Sequence, residues 1–145
     1  MSIWVPETLT TYHHAIQYYS LMFEICVKNS FSAAHHLRGY CGSCEGQHGH
    51  NWDIEVTFRG EKLDNCGMLI DFRKAKKIIK SILNELDHKD LNKIKHFLVV
   101  NPTSENIAAY LYRKIVKKIS NKKLNVVSVK VWETNGNCAV YYEKN

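Results

Sequence analysis

Three histidines have the residue type and spacing of metal ligands. His48 and His50 lie two residues apart and lead directly into segment 51–59, in which apolar and polar residues alternate. Side chains two apart on a strand point to the same face, so both imidazoles are predicted to lie on the apolar face of this strand. His35 has the parity of the apolar positions in segment 21–31, a second alternating strand. Neutral imidazole is a favoured zinc ligand, and the pattern therefore predicts a site with three nitrogen ligands.

Three nitrogen ligands leave one position of a tetrahedral zinc ion open, which is typical of a catalytic centre. Cys41 and Cys44 allow a rival interpretation, because together with His48 and His50 they could form a closed structural site. That arrangement leaves out His35, and its two histidines lie closer together in sequence than those of structural zinc fingers. Ordinary core histidines, hydrogen-bonded to their neighbours, are a third interpretation.

Two further positions have the chemistry of proton transfer. Cys44 lies four residues before His48 in a loop that contains glycine. A thiol next to a cation has a lowered pKa, so this side chain is a candidate proton acceptor at neutral pH. Asp87 and His88 follow the first predicted helix, where the carboxylate can orient the imidazole. Such a pair can also simply cap the helix.

Glu133 is an acidic residue at the end of an apolar strand face. It has the parity of Val127, Val129 and Val131. An unpaired charge in that position is costly, so the carboxylate is expected to have a partner. A ligand with two parallel N–H donors, such as a guanine-like ring edge, would satisfy both oxygens, and an internal Arg or Lys side chain would serve equally well.

The elements that position these residues follow the order β-β-α-α-β-β. Their predicted bounds are strands at 21–31 and 51–59, helices at about 72–86 and 103–119, and strands at about 127–132 and 138–143. Asp71 is the expected N-cap of the first helix, and Asn135-Gly136 the expected turn of the last hairpin. This order predicts an α+β domain, an antiparallel four-stranded sheet with two helices on one face. The expected division is an N-terminal extension over residues 1–20 and one domain over residues 21–145.

Length, charge and apolar content restrict the class of protein. The chain has 145 residues, 45% of them hydrophobic, which fits one globular domain. It contains no apolar run of the ~18 residues that a membrane span needs, and no secretion signal is visible, so a cytoplasmic location without membrane binding is expected. A net charge of +6, from 20 Lys and Arg against 14 Asp and Glu, favours an anionic partner. No basic stretch is interleaved with aromatic residues, so nucleic acid is not the expected partner.

Six short motifs resemble, in the same order, the 6-pyruvoyltetrahydropterin synthase and 6-carboxytetrahydropterin synthase family, most of all its bacterial 6-carboxytetrahydropterin synthases. The resemblance covers about residues 22–143. The motifs are Phe31-Ser32-Ala33-Ala34-His35, Cys44-Glu45-Gly46-Gln47-His48-Gly49-His50-Asn51, Gly67-Met68-Leu69-Ile70-Asp71-Phe72, Leu86-Asp87-His88, Asn101-Pro102-Thr103-Ser104-Glu105-Asn106 and Trp132-Glu133-Thr134.

This resemblance implies the tunnelling fold, in which β-β-α-α-β-β units assemble into trimeric barrels that pair as homohexamers, with active sites between subunits. It implies a Zn²⁺ ion bound by His35, His48 and His50. The further roles that it implies are Cys44 as proton acceptor, Asp87 and His88 as the proton relay, Glu133 as the anchor of the pterin ring, and Thr103, Ser104 and Glu105 as the border of the pterin pocket.

The reaction that the resemblance implies starts from 7,8-dihydroneopterin triphosphate. Loss of triphosphate and of acetaldehyde would give 6-carboxy-5,6,7,8-tetrahydropterin for queuosine-type deazapurine synthesis, and 6-pyruvoyltetrahydropterin is a further product within the family. Glu45 departs from this pattern, because a glutamate after the cysteine resembles a subgroup that makes 6-hydroxymethyl-7,8-dihydropterin for folate synthesis. A noncatalytic basic module that uses zinc structurally is the alternative from another functional class.

Overall fold

The computed structural model describes residues 22–42, 45–119 and 124–144. Within these ranges the chain forms five strands and two α-helices. In chain order they are β1 (Phe23–His35), β2 (His48–Gly60), α1 (Phe72–Leu83), β3 (Lys89–Asp90), α2 (Ser104–Lys118), β4 (Asn125–Thr134) and β5 (Asn137–Tyr141), with 3₁₀ turns at Leu91–Lys93 and Lys95–Leu98. The predicted extension over residues 1–20 lies outside the described residues. Neither of these helices is long and apolar enough to cross a membrane.

The strands form one mixed sheet in the order β3-β1-β2-β4-β5. As predicted, β1, β2, β4 and β5 pair with their neighbours in antiparallel fashion. The prediction of a purely antiparallel four-stranded sheet is wrong in one respect, because β3 pairs parallel with β1 at Ala33 and Ala34. The two residues of β3 are too few for the alternating pattern that reveals a strand in a sequence.

A sharp turn after α1 places β3. His88 has a φ of 55°, in the left-handed region that is unusual for a residue with a side chain. Its backbone N–H donates a hydrogen bond to the carbonyl oxygen of Ser32 at 2.6 Å. The Ser32 N–H in turn donates to Asp87 Oδ1 at 3.0 Å. These bonds dock the chain onto the edge of β1, and the two residues after His88 continue alongside it.

The pairing of β1 with β2 brings the three histidines together. Both strands are 13 residues long and pair over their full length. The last pairs set Ala33 opposite His50 and His35 opposite His48. Residues directly opposite each other on antiparallel strands share a face, so the three imidazoles lie on one side of the sheet. The parity predicted from the sequence is confirmed for these strands.

The same side of the sheet carries the hydrophobic core. Val27, Val56 and Val129 lie opposite one another on β1, β2 and β4, and each is at most 2% exposed. α1 contacts β1, α2 contacts β4 and β5, and the helices contact each other, so both helices cover this face. α1 begins at its predicted N-cap, where Asp71 Oδ1 accepts a hydrogen bond from the Arg73 N–H at 2.7 Å.

β4 contains a bulge that its predicted alternation missed. Val126 pairs with Phe58 and Ser128 pairs with Thr57, so Val127 is the extra residue between them. Val126 therefore takes the core position predicted for Val127, which is only half-buried. The bulge changes the face of the first part of the strand only.

The opposite face of the sheet is polar. Glu55, whose side chain is 11% exposed, lies 2.9 Å from Lys130 Nζ and 3.8 Å from Lys28 Nζ. The Nζ atoms of both lysines also lie 6.0 Å from the ring centroid of Trp132. The two faces thus differ in character, and the imidazoles belong to the one that packs against the helices.

Candidate metal centre

Four side chains from three neighbouring strands meet at one end of the core. His35 ends β1, His48 and His50 begin β2, and Glu133 lies near the end of β4. One ligand atom from each side chain lies within 4.8 Å of those of the other three. The ring centroid of His48 is 4.6 Å from that of His35 and 4.8 Å from that of His50. The three imidazoles converge as predicted, and a carboxylate joins them.

Backbone carbonyls orient two of the imidazole rings. His35 Nδ1 lies 2.8 Å from the carbonyl oxygen of Pro102, and His48 Nδ1 lies 2.8 Å from that of Gly46. A carbonyl oxygen can only accept a hydrogen bond, so each Nδ1 carries the proton and donates it. The Nε2 atom of each neutral ring then presents its lone pair, which is how metal-binding histidines are commonly held.

The remaining nitrogens fit a bound cation. His35 Nε2 and His50 Nε2 are buried and make no hydrogen bond with the residues that the structure describes, although Glu133 Oε1 lies 3.0 Å from His50 Nε2. Buried polar atoms are nearly always paired, so such nitrogens in a shared cluster point to a ligand rather than to ordinary core histidines. Burial lowers the pKa of His35, which keeps its imidazole neutral and available for coordination. Three imidazoles with a carboxylate suit zinc, and iron or manganese also accept such donors.

The carboxylate of Glu133 contacts other side chains of the described residues. Its Oε1 atom lies 3.0 Å from His50 Nε2 and 3.6 Å from His35 Nε2. Its Oε2 atom accepts a hydrogen bond from the Ser104 hydroxyl at 3.2 Å. The expected partner was a ligand edge or an Arg or Lys side chain, whereas the structure supplies imidazoles and a hydroxyl group. Its predicted role as pterin anchor stays a prediction.

The loop before His48 carries the predicted proton acceptor. Cys44 lies outside the described residues, so its role and the rival cysteine-containing zinc site stay predictions. Cys41, the other cysteine of that rival site, is described and exposed, as is Glu45. Since the Gly46 carbonyl orients His48, the segment that follows Cys44 runs directly into the histidine cluster.

Asp87 and His88 form the predicted carboxylate–imidazole pair. Asp87 Oδ1 lies 3.0 Å from His88 Nδ1 and also accepts the backbone N–H of Ser32 at 3.0 Å. The hydrogen bond from Ser32, followed by that from His88, holds the pKa of the Asp87 carboxyl group below its usual range. The imidazole itself is 81% exposed. The left-handed backbone at His88 is a strained conformation of the kind that clusters at functional sites.

The pair does not lie on the face on which the three imidazoles meet. His88 lines an open groove with Ser32, Gly49 and Asn51, and His50 also borders it. Ser32, Gly49 and Asn51 alternate in the strands with the residues of the histidine cluster, so their side chains point to the opposite face of the sheet. Within one chain, His88 therefore borders a groove that is lined mainly by residues of the face opposite the histidine cluster.

The start of α2 borders the cluster. The Pro102 carbonyl orients His35, and the Ser104 hydroxyl contacts Glu133. Thr103 is the N-cap of α2, because its hydroxyl oxygen accepts the Asn106 N–H at 3.3 Å. Glu105 lies in the first turn and is exposed. Of the three residues predicted to border a pterin pocket, Ser104 is therefore the one that the structure joins to the cluster.

Two asparagines to which the sequence analysis gave no role of their own hold the chain in place beyond His35. The Asn92 amide accepts the His36 N–H at 2.9 Å and donates to the His36 carbonyl at 3.0 Å. The Asn101 amide makes the same pair of bonds with Arg38, at 3.0 and 2.9 Å. At the start of the loop that leads to His48, these side-chain amides bond to the backbone N–H and C=O groups in the way that a neighbouring strand would. A single asparagine leaves no pattern in a sequence that would reveal such a contact.

Comparisons with known proteins agree with this geometry. A family model described as 6-pyruvoyl tetrahydropterin synthase matches residues 24–144. The chain is 38% identical over 112 residues to the dihydroneopterin monophosphate aldolase of Pyrococcus furiosus, covering 77% of this chain and 90% of the relative. It is 32% identical over 128 residues to the 6-carboxy-5,6,7,8-tetrahydropterin synthase of Rickettsia bellii, covering 76% of this chain and 92% of the relative.

A solved structure has the same fold. The 6-pyruvoyl tetrahydropterin synthase of Caenorhabditis elegans superimposes with a TM-score of 0.76 at 30% sequence identity, over 86% of this chain and 97% of that one. The family model spans both strands that supply the histidines, the Asp87–His88 pair and Glu133. From its sequence and its fold, the chain belongs to the 6-pyruvoyl tetrahydropterin synthase family.

Proposed function

We propose that this enzyme converts 7,8-dihydroneopterin triphosphate to 6-carboxy-5,6,7,8-tetrahydropterin in a zinc-dependent lyase reaction, with release of triphosphate and acetaldehyde. The observation that carries the proposal is the cluster of His35, His48, His50 and Glu133 in a chain of this family. The relative from Rickettsia bellii is named for this product. The net charge of +6 is favourable for a substrate with three phosphates.

His35, His48 and His50 would hold the ion by their Nε2 atoms, since Nδ1 is engaged with a carbonyl in two of them. When bound, zinc polarises oxygen atoms of a coordinated substrate and makes neighbouring C–H bonds more acidic. Glu133, with Ser104 on its second oxygen, would accept hydrogen bonds from the pterin ring. The carboxylate can do so because a pterin edge offers two parallel N–H donors.

Proton transfer is assigned to Cys44, Asp87 and His88. The thiolate of Cys44 would accept a proton from the substrate side chain. Asp87 accepts a hydrogen bond from the His88 Nδ1–H and so orients the ring, and the exposed ring is free to exchange protons through Nε2. Thr103 and Glu105 are proposed to border the ring pocket, Thr103 through its backbone because its hydroxyl caps α2.

A complete site would need more than one chain. The Asp87–His88 pair is not part of the histidine cluster, and His88 borders a groove lined mainly by the opposite face of the sheet. A trimeric barrel, paired into a hexamer, would allow the pair of one subunit to serve the cluster of its neighbour. The ionic pairs of Glu55 on the polar face are compatible with an enclosed, hydrated barrel interior.

Glu45 favours a second candidate product. The residue directly follows Cys44 in the sequence, and the chain from Glu45 leads through Gly46 to His48. A carboxylate at this position would be a second proton acceptor, adjacent in sequence to the thiol. The relative from Pyrococcus furiosus is named as an aldolase that acts on a dihydroneopterin phosphate. Carbon–carbon cleavage to 6-hydroxymethyl-7,8-dihydropterin is therefore the alternative, followed by 6-pyruvoyltetrahydropterin, the product in the name of the structural relative.

Product analysis tests this proposal. Purified, zinc-loaded protein is incubated with 7,8-dihydroneopterin triphosphate, and the pterins and acetaldehyde are identified by mass spectrometry. We expect the 6-carboxy product, its loss in Cys44→Ala with zinc content unchanged, and selective loss of any 6-hydroxymethyl product in Glu45→Ala. Turnover in Cys44→Ala would reject the role of the thiol. No turnover by the wild type, with steeply salt-dependent binding to polynucleotides, would instead favour the noncatalytic basic module.

A further inference from the structure

Three buried side-chain atoms have no hydrogen-bond partner within the described part of the chain. They are His35 Nε2, His50 Nε2 and Trp52 Nε1. All three belong to one cluster, because the Trp52 ring centroid lies 5.0 Å from that of His35 and 5.4 Å from that of His50. Buried polar groups are rarely left unpaired, so three of them in mutual contact call for a common explanation. A bound cation would account for the two imidazole nitrogens that lack a hydrogen bond, but not for the indole N–H of Trp52.

The indole nitrogen of Trp52 cannot be a metal ligand. It carries a hydrogen and acts only as a hydrogen-bond donor. The side chain is fully buried, and its ring stacks against Phe31 with centroids 6.1 Å apart and an interplanar angle of 9°. A phenylalanine would make the same stacking contact without burying a donor, which is costly when unpaired. The donor thus fits an acceptor that the described chain does not provide.

The carboxylate of Glu133 does not serve as this acceptor. One of its oxygens faces His50 and His35, and the other accepts the Ser104 hydroxyl. Trp52 follows His50 by two residues on β2, so both side chains lie on the same face of the strand. The ring that carries the unpaired donor is therefore in contact with two predicted metal ligands and lies on the same face of the sheet as the cluster.

We propose that the Trp52 indole N–H donates a hydrogen bond to an oxygen atom of the molecule that binds at the metal centre. The ligands that it favours are those with a hydroxyl, carbonyl or carboxylate oxygen beside the ion, because such an oxygen keeps a lone pair for the donor. The inference rests on the proposed function in taking the centre as loaded with metal. Dihydroneopterin triphosphate, with its hydroxylated side chain, has oxygens of this kind.

The test replaces the donor and keeps the ring. Wild type, Trp52→Phe and the control Trp132→Phe, which alters a tryptophan on the opposite sheet face, are loaded with zinc and titrated with acetohydroxamate, a small oxygen-donor ligand. We expect on the order of 10-fold weaker hydroxamate binding in Trp52→Phe alone, with zinc affinity unchanged in all three proteins. Equal hydroxamate binding by wild type and Trp52→Phe overturns the proposal.

The indole proton itself provides a second readout that does not depend on a variant folding well. The chain has three tryptophans, so ¹⁵N-labelled zinc-bound protein gives few indole N–H signals, and that of Trp52 is assigned by its absence in Trp52→Phe. Hydroxamate should shift this proton downfield in the wild type, and an unmoved signal refutes the hydrogen bond. If hydroxamate shifts the Trp52 indole proton but the protein does not turn over the pterin substrate, only the proposed function is rejected. If the protein turns over the substrate but hydroxamate leaves this proton unmoved, only the inference about Trp52 is rejected.

Discussion

Added zinc is expected to stabilise the fold by binding at the histidine cluster, and replacing His48 by alanine should abolish most of that effect. His48 is half-buried and contributes one of four potential ligand atoms, and its Nδ1 is already engaged with the Gly46 carbonyl. The variant removes one ligand without emptying a buried core position. Its effect on the metal-free fold is therefore expected to be small compared with its effect on the metal-bound one.

The magnitude follows from mass action. Free zinc at 100 times its dissociation constant stabilises a folded protein by about 2.7 kcal/mol. If loss of one ligand weakens binding by about 100-fold, the same zinc concentration gives only about 0.4 kcal/mol. For a domain of this size, the wild-type melting temperature should rise by about 5 to 10 °C with zinc, and that of His48→Ala by about 1 °C.

The assay is thermal unfolding with and without buffered zinc, each variant being compared with its own metal-free form. His88→Ala is the matched control, because it removes an imidazole that is 81% exposed and is not part of the cluster. This control should keep the full zinc-dependent shift. A full shift in His48→Ala, or a shift lost equally in both variants, would refute the assignment of the metal site.

Two further predictions concern the elements that support the site. Folding depresses the pKa of Asp87, so this group should stabilise the fold above its unfolded pKa of about 3.9 and lose that effect as the pH falls through its folded pKa. In urea unfolding, the stability difference between wild type and Asp87→Asn should then be largest near neutral pH and shrink in acid; a difference that is independent of pH would contradict this. Thr103→Ala should cost about 1 kcal/mol of unfolding free energy through loss of the α2 N-cap, whereas Thr103→Ser should keep most of it. Equal losses in the two variants would show that the hydroxyl oxygen does not act as the cap.

The histidine cluster was predictable because it depends on the period of a strand. Two alternating segments fixed the face of each strand, and the three histidines share the parity of the apolar residues on that face. Any antiparallel pairing that buries this face brings the imidazoles to one side, whatever the details of the register. The N-cap of α1 was predictable for a similar reason, since Asp71 acts on backbone groups close to it in the chain.

Features that depend on contacts distant in sequence were not predictable in this way. β3 has two residues and exists only because the turn at His88 bonds to Ser32. The bulge at Val127 replaces one valine by its neighbour in the core, and both are equally apolar, so hydropathy does not distinguish them. The paired bonds of Asn92 to His36 depend on the path of the chain and not on a motif.

The metal centre depends both on the period of a strand, which the sequence reveals, and on contacts distant in sequence, which it does not. Glu133 was predictable as an acid at the end of the apolar face because the bulge against β2 lies before Val129. The pairing with β5 shifts register between Trp132 and Thr134, and Glu133 still contacts the imidazoles on that face. The groups that orient the imidazoles were not predictable. They are the backbone carbonyls of Pro102 and Gly46, and every residue has a carbonyl. Residue type therefore reveals which side chains can bind a metal, while the fold determines which nitrogen of each imidazole faces it. A variant that moves the Pro102 carbonyl should accordingly weaken metal binding although no ligand has changed.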